Sequence, residues 1–178
     1  MRPAISLLLG GLVAYTAVPG WTLARVSGRQ AIPARTGAVV DGAGALEDAD
    51  VAELSAFCKQ AASGDAAVHL QFLTVPRLGG EDMDAFAERV ARTWKLAQLG
   101  KSGGVLVVWA RDERLIRIEV GGELLPRLPP LQTDRIIQDV MVRSFQNGRF
   151  GEGLLAGAKE IVRVLRTPSD EGDRERQP

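Results

Sequence analysis

The chain has 178 residues, 46% hydrophobic and 25% charged, and its 22 basic and 22 acidic side chains give a formal net charge of +0. That length and apolar content allow one globular domain with a real core. The even charge balance leaves no electrostatic reason to expect nucleic acid, and a single cysteine excludes an internal disulfide framework.

The chain opens on Arg2 followed by a charge-free apolar run from Pro3 to Leu23, with Thr22 and Ala24 placed as small residues before Arg25. This is the pattern of an export signal over residues 1–24, either cleaved after Ala24 or kept as an uncleaved N-terminal anchor. The protein is therefore expected to be exported, to the periplasm or the outer face of a membrane. Cleavage would remove only Arg2 from the charged set, so the balance survives. Residues 25–35 lack periodicity and read as a linker, and a domain is expected over 36–166.

Within the domain, Ala38 to Val40 is a short apolar strand running into the turn Asp41-Gly42-Ala43-Gly44. Leu54, Phe57, Cys58, Ala61 and Ala62 then recur at helical spacing behind Glu47, Asp48 and Asp50, acids that suit the positive end of a helix dipole. Cys58 lies on that apolar stripe and reads as a buried thiol. Ala67 to Val75 is a strand carrying the single histidine, His69, which has no acid or base partner near it in sequence. A second helix follows Glu81-Asp82 with the stripe Met83, Phe86, Ala87, Val90 and Trp94.

The stretch from Gly100 to Leu124 predicts the centre of the sheet. Val105 to Ala110 is apolar throughout, as expected of a strand covered on both faces. Arg111 to Arg114 is a polar turn, and Leu115 to Val120 alternates Ile116, Ile118 and Val120 with Arg117 and Glu119. After it, Pro126, Pro129 and Pro130 predict a loop. A third helix is expected from Thr133 or Asp134, and a fourth carries Leu154, Leu155, Ala158, Ile161, Val162 and Leu165. Residues 167–178 are polar and charged and are expected to be disordered. The order of elements predicts an α/β fold, a three-layer α/β/α sandwich whose mixed central sheet is flanked by about four helices.

Motifs for chemistry are sparse. Gly100-Lys101-Ser102 matches the end of a phosphate-binding loop, but Lys95 stands where its first glycine belongs, and no GxSxG, HExxH or CxxC occurs. No organic cofactor is expected. What remains is a set of acids at turns and element ends, Asp41, Glu119 and Asp134, which are candidate ligands for a hard cation such as Ca2+ or Mg2+. Gly103, Gly104 and Gly121 mark the candidate binding edge, where the backbone turns tightly or is closely approached. Asp41 is expected near that edge, with Arg111 to Arg114 at the plain end of the hairpin.

Several separated motifs resemble one family. Val39-Val40-Asp41-x-Ala43-Gly44-x-Leu46, the run Leu73-Thr74-Val75-Pro76-x-Leu78-Gly79-Gly80-Glu81-Asp82, Phe86-Ala87, Trp94, Gly100-Lys101-x-x-Gly104-Val105-Leu106, Arg117-Ile118-Glu119-Val120-Gly121-x-x-Leu124 and Phe150-x-x-Gly153-Leu154-Leu155-Ala156-Gly157 together resemble the TPM domain, also called YgcG-like. The resemblance covers about residues 36–166 and implies the sandwich fold and an exported location. Functionally it implies several things: a thylakoid acid phosphatase and photosystem repair factors, a modulator of acetylcholine receptors, and bacterial proteins without an assigned role, with calcium binding in some members. Fold leaves function open among these. The expected role is a non-catalytic accessory or interaction module for the assembly, maintenance or modulation of a membrane protein complex. The alternative is a metal-assisted acid phosphatase in which Asp41 and Glu119 hold the cation.

Overall fold

The protein is described from a computed structural model covering residues 29–167. The expected export segment and nearly all of the expected charged tail lie outside the described residues. The elements in order are β1 (Val39–Asp41), α1 (Asp48–Ala61), β2 (His69–Val75), α2 (Met83–Thr93), β3 (Gly104–Ala110), β4 (Leu115–Val120), α3 (Pro130–Arg135), a π-helical segment (Ile136–Met141), α4 (Val142–Gln146) and α5 (Phe150–Arg166). They form a mixed sheet of order β1-β2-β3-β4, in which β1, β2 and β3 run parallel and β4 returns antiparallel.

The strand at the centre behaves as its composition requires. Every residue of β3 is buried, because helices cover both faces. Val105 and Val107 join the core beneath α1, α5 and the π segment, whereas Leu106, Val108 and Ala110 join the core beneath α2. Phe86, Ala87 and Val90 of α2 are fully buried there, and each large apolar side chain so placed contributes about 2 kcal/mol. Asp82 starts α2 by accepting from the backbone N–H groups of Asp84 and Ala85 at 2.9 and 3.1 Å, while Glu47 heads α1 without a side-chain cap.

Two stretches differ from expectation. Residues 25–35 read as a linker, yet Trp94 Nε1 donates to the Pro33 carbonyl at 3.0 Å and Arg89 Nη2 to the Gln30 carbonyl at 2.8 Å, so residues 30–33 lie along α2. The third helix begins three residues before Thr133: Pro130 occupies the first helical turn, where its missing N–H costs nothing. Its middle widens into the π segment, which shifts the phase of the residues that follow and is not visible as an apolar period.

Candidate binding cleft

The register decides which residues can share a site. Asp41 pairs with Thr74, Thr74 with Trp109, and Trp109 with Ile116, so one row crosses the sheet at the C-terminal ends of the parallel strands. Glu119 lies three residues further along β4 and, by strand alternation, on the opposite face. That separates the two carboxylates by roughly 10 Å along the strands and roughly 14 Å across them. The expectation that Asp41 sits beside Gly103, Gly104 and Glu119 is therefore corrected. Glycine spacing cannot report strand order, and a parallel β1 puts its end at the other edge of the sheet.

Asp41 and Glu119 are already engaged. Asp41 accepts from the backbone N–H groups of Ala45 at 3.3 Å and Leu46 at 3.0 Å and from the Thr74 hydroxyl, whose oxygen accepts in turn from Ala43 N–H at 3.0 Å. It ties the β1–α1 loop to β2. Glu119 accepts from Arg117 Nε at 2.9 Å. Burial pulls the Arg117 guanidinium down, but the Glu119 hydrogen bond, then the charges of Glu119, Asp84 and the exposed Asp134, hold it above the ordinary arginine value. A guanidinium thus stands among the acids on the Glu119 side. Asp41, Glu119 and Asp134 do not fit a common Ca2+ or Mg2+ site, since two surround an arginine and the third is occupied elsewhere.

The candidate binding edge has a clear physical cause. Gly103 adopts φ +95° and Gly122 φ +66°, and a Cβ on either would run into the backbone of the opposite turn: Gly122 Cα at 3.1 Å from one, Gly103 Cα at 3.2 Å from the other. What closely approaches the Gly103 backbone is the other glycine turn of the hairpin. Gly104 is packed by His69 and Leu96, and Gly121 by Leu96 and Ala97. Glu119 and Gly121 border a hollow of about 300 Å³ with Arg92 and Lys95.

The open space is larger at the other end. A cavity of about 750 Å³ is lined by Trp109, Arg111, Asp112, Arg114, Ile116, Val142, Phe145, Gln146, Gly148 and Phe150. It lies at the C-terminal ends of the parallel strands, the edge where open α/β sheets place their ligands. Its floor is aromatic: the rings of Trp109, Phe145 and Phe150 have centroids 4.6 to 5.3 Å apart, and the Trp109–Phe145 and Phe145–Phe150 pairs meet edge-on. α4 supplies Phe145 just after the π segment, and the Asn147-Gly148 turn brings Phe150 back against it.

The rim is charged. Arg111 is held by the Ala43 carbonyl at 3.1 Å and by Asp112, which also faces Arg77 at 3.6 Å. Arg114 makes no ion pair or side-chain hydrogen bond among the described residues, and its backbone is left-handed at φ 57°. A non-glycine residue there costs about 1–2 kcal/mol. Trp109 is 2% exposed and its indole N–H donates to no acceptor among the described residues, yet it is not sealed away: the one sealed side-chain polar atom without a partner among them is Gln71 Oε1. Elsewhere, burial pushes the Cys58 thiol up to about 12, as suits a core residue.

These cleft residues carried a signal that apolar periodicity passes over. Trp109 is the one aromatic in an aliphatic strand, close to its C-terminal end, and Phe145 and Phe150 flank a glycine turn.

No curated protein sequence matches the chain. Among solved structures it is similar to the N-terminal domain of a P. gingivalis protein, with 32% identity, a TM-score of 0.66 and coverage of 73% of this chain and 82% of that one. The BA42 protein of Bizionia argentinensis shares the fold at 16% identity and TM-score 0.60, covering 75% and 91% of the two chains. The N-terminal domain of the cg2496 protein of Corynebacterium glutamicum does so at 11% and 0.57, covering 79% and 89%. The TPM domain pattern itself matches residues 39–164. By that match over most of its length, the chain belongs to the TPM domain family.

Proposed function

We propose that this chain is an exported, non-catalytic interaction module that serves a membrane protein complex by binding a segment of one of its proteins in the Trp109 cleft. The observation that carries this reading is the make-up of the cleft: an aromatic floor with an arginine rim, and no serine, threonine, cysteine or histidine among the residues lining it. Its one carboxylate, Asp112, is neutralised by Arg111 and Arg77. Apolar walls with a few fixed polar groups suit recognition of a ligand. The export address rests on the segment before Arg25.

Crosslinked pull-down from cell envelopes with wild-type protein and with Arg114→Gly tests the proposal. One membrane protein recovered by the wild type and lost from the variant is the expected result. Equal recovery by both, together with unchanged envelope behaviour in a deletion strain, would overturn it. The phosphatase reading that places one cation between Asp41 and Glu119 draws no support from residues at opposite ends and on opposite faces of the sheet.

A further inference from the structure

We propose that the cleft recognises the free C-terminal end of a peptide chain whose last side chain is apolar. This rests on the interaction-module reading above and names the ligand chemistry for the same cleft. Three observations converge. The floor of Trp109, Phe145 and Phe150, continued by Ile116 and Val142, is apolar and takes a hydrocarbon or aromatic side chain. The indole N–H of Trp109, on a side chain 2% exposed that lines the cleft, lacks an acceptor among the described residues and is not sealed from solvent. Arg114 lines the same cleft with its guanidinium unpaired among the described residues, on a backbone conformation that glycine would occupy without strain.

An apolar group with an acceptor of negative charge directly beside it satisfies all three. A C-terminal residue has this arrangement: its carboxylate and its side chain leave the same carbon, so one ordered residue meets floor and rim together. An internal Asp or Glu separates charge from apolar body and must order a longer stretch of chain to do the same. Capture of a terminal carboxylate is an established mode of peptide recognition, and arginine is suited to it by its forked donors. The local charge agrees, since Arg77, Arg111 and Arg114 outnumber Asp112, which pairs with Arg77 and Arg111, and Glu113, which accepts from the Leu78 N–H at 2.9 Å. A volume of about 750 Å³ admits several residues upstream of the last one.

The test uses the full chain and N-terminally labelled hexapeptides with randomised internal positions, ending in Leu or Phe as the free acid or as the amide, with binding read by fluorescence anisotropy. The free acids are expected to bind about 10-fold tighter than the amides. That preference should vanish in Arg114→Gly and in Arg114→Asn, two residues that the left-handed position accepts, with no fall in thermal midpoint. If acid and amide bind alike and both are weakened by Phe145→Ala, carboxylate recognition is overturned while the interaction module stands. If neither peptide binds, but the envelope partner is still lost with Arg114→Gly, the terminal carboxylate is again overturned and the module stands. If the envelope partner is also indifferent to Arg114→Gly, both fall. N-acetyl-leucine competing as well as the peptides would overturn the peptide as the source of the carboxylate.

Discussion

The two ends of the sheet are built in opposite ways. At the end bounded by Gly103 and Gly122 the chain comes together backbone against backbone, and the space that side chains would take is filled by the opposite turn. At the end bounded by Arg111 to Arg114, side chains from β3, β4, α4 and α5 surround an open cleft. Glycines at a hairpin end mark a place where something approaches closely. Here that something is the protein itself, and the larger open cleft, lined by bulky side chains, lies at the opposite end.

The largest expected effect tests the closed end. Gly103→Val should cost about 3 kcal/mol or more in urea unfolding, because it joins a forbidden backbone angle to a backbone collision. A loss below about 1 kcal/mol would mean that the turns tolerate a side chain, and the contrast between the ends would fail. Next comes Asp41→Asn, which faces an amide NH2 toward the Leu46 N–H and should cost about 2 kcal/mol. Calorimetric titration with calcium should show the same heat for this variant as for the wild type. A calcium response lost with Asp41 would restore it as a ligand.

Smaller and opposite in sign is Arg114→Gly. Relief of the left-handed strain should stabilise the domain by about 0.5–1 kcal/mol while binding at the cleft is lost. A stability gain with unchanged binding would leave the open end without its main polar contact. Glu119→Gln, at a partly exposed ion pair, should change stability by less than about 1 kcal/mol. Smallest at neutral pH is the effect of Cys58. Its folded value is raised from 9.0 to about 12, so its contribution is fully present below pH 9.0 and is lost as pH rises through about 12. Native protein should resist thiol reagents at mild alkaline pH, and rapid labelling would show that the α1 stripe opens.

Much of the fold was legible along the chain. The alternation of β4 and the stripes of α2 and α5 each repeat the spacing of one kind of element, and the apolar run of β3, bounded by glycines and a charged turn, has the length and β-branched content of a strand. The start of α3 was not, because a proline reads as a breaker except in a first helical turn, and Pro130 stands in one. The candidate site was the least legible part. Asp41 and Glu119 do lie near strand ends, whereas Asp134, expected at the head of the third helix, stands four residues inside it, and a position along the chain does not say which edge of a sheet a strand end reaches.

The sequence by itself determined most of the elements, the two-sided burial of β3, the buried thiol and the family, because these depend on local periodicity and on motifs read in order. Tertiary structure alone decided that β1 pairs parallel to β2, that Asp41 lies far from Glu119, that the two glycine turns close on each other and that Trp109, Phe145 and Phe150 meet. Those are facts of register and packing between segments distant in the chain, where backbone pairing and the exclusion of water choose the neighbours.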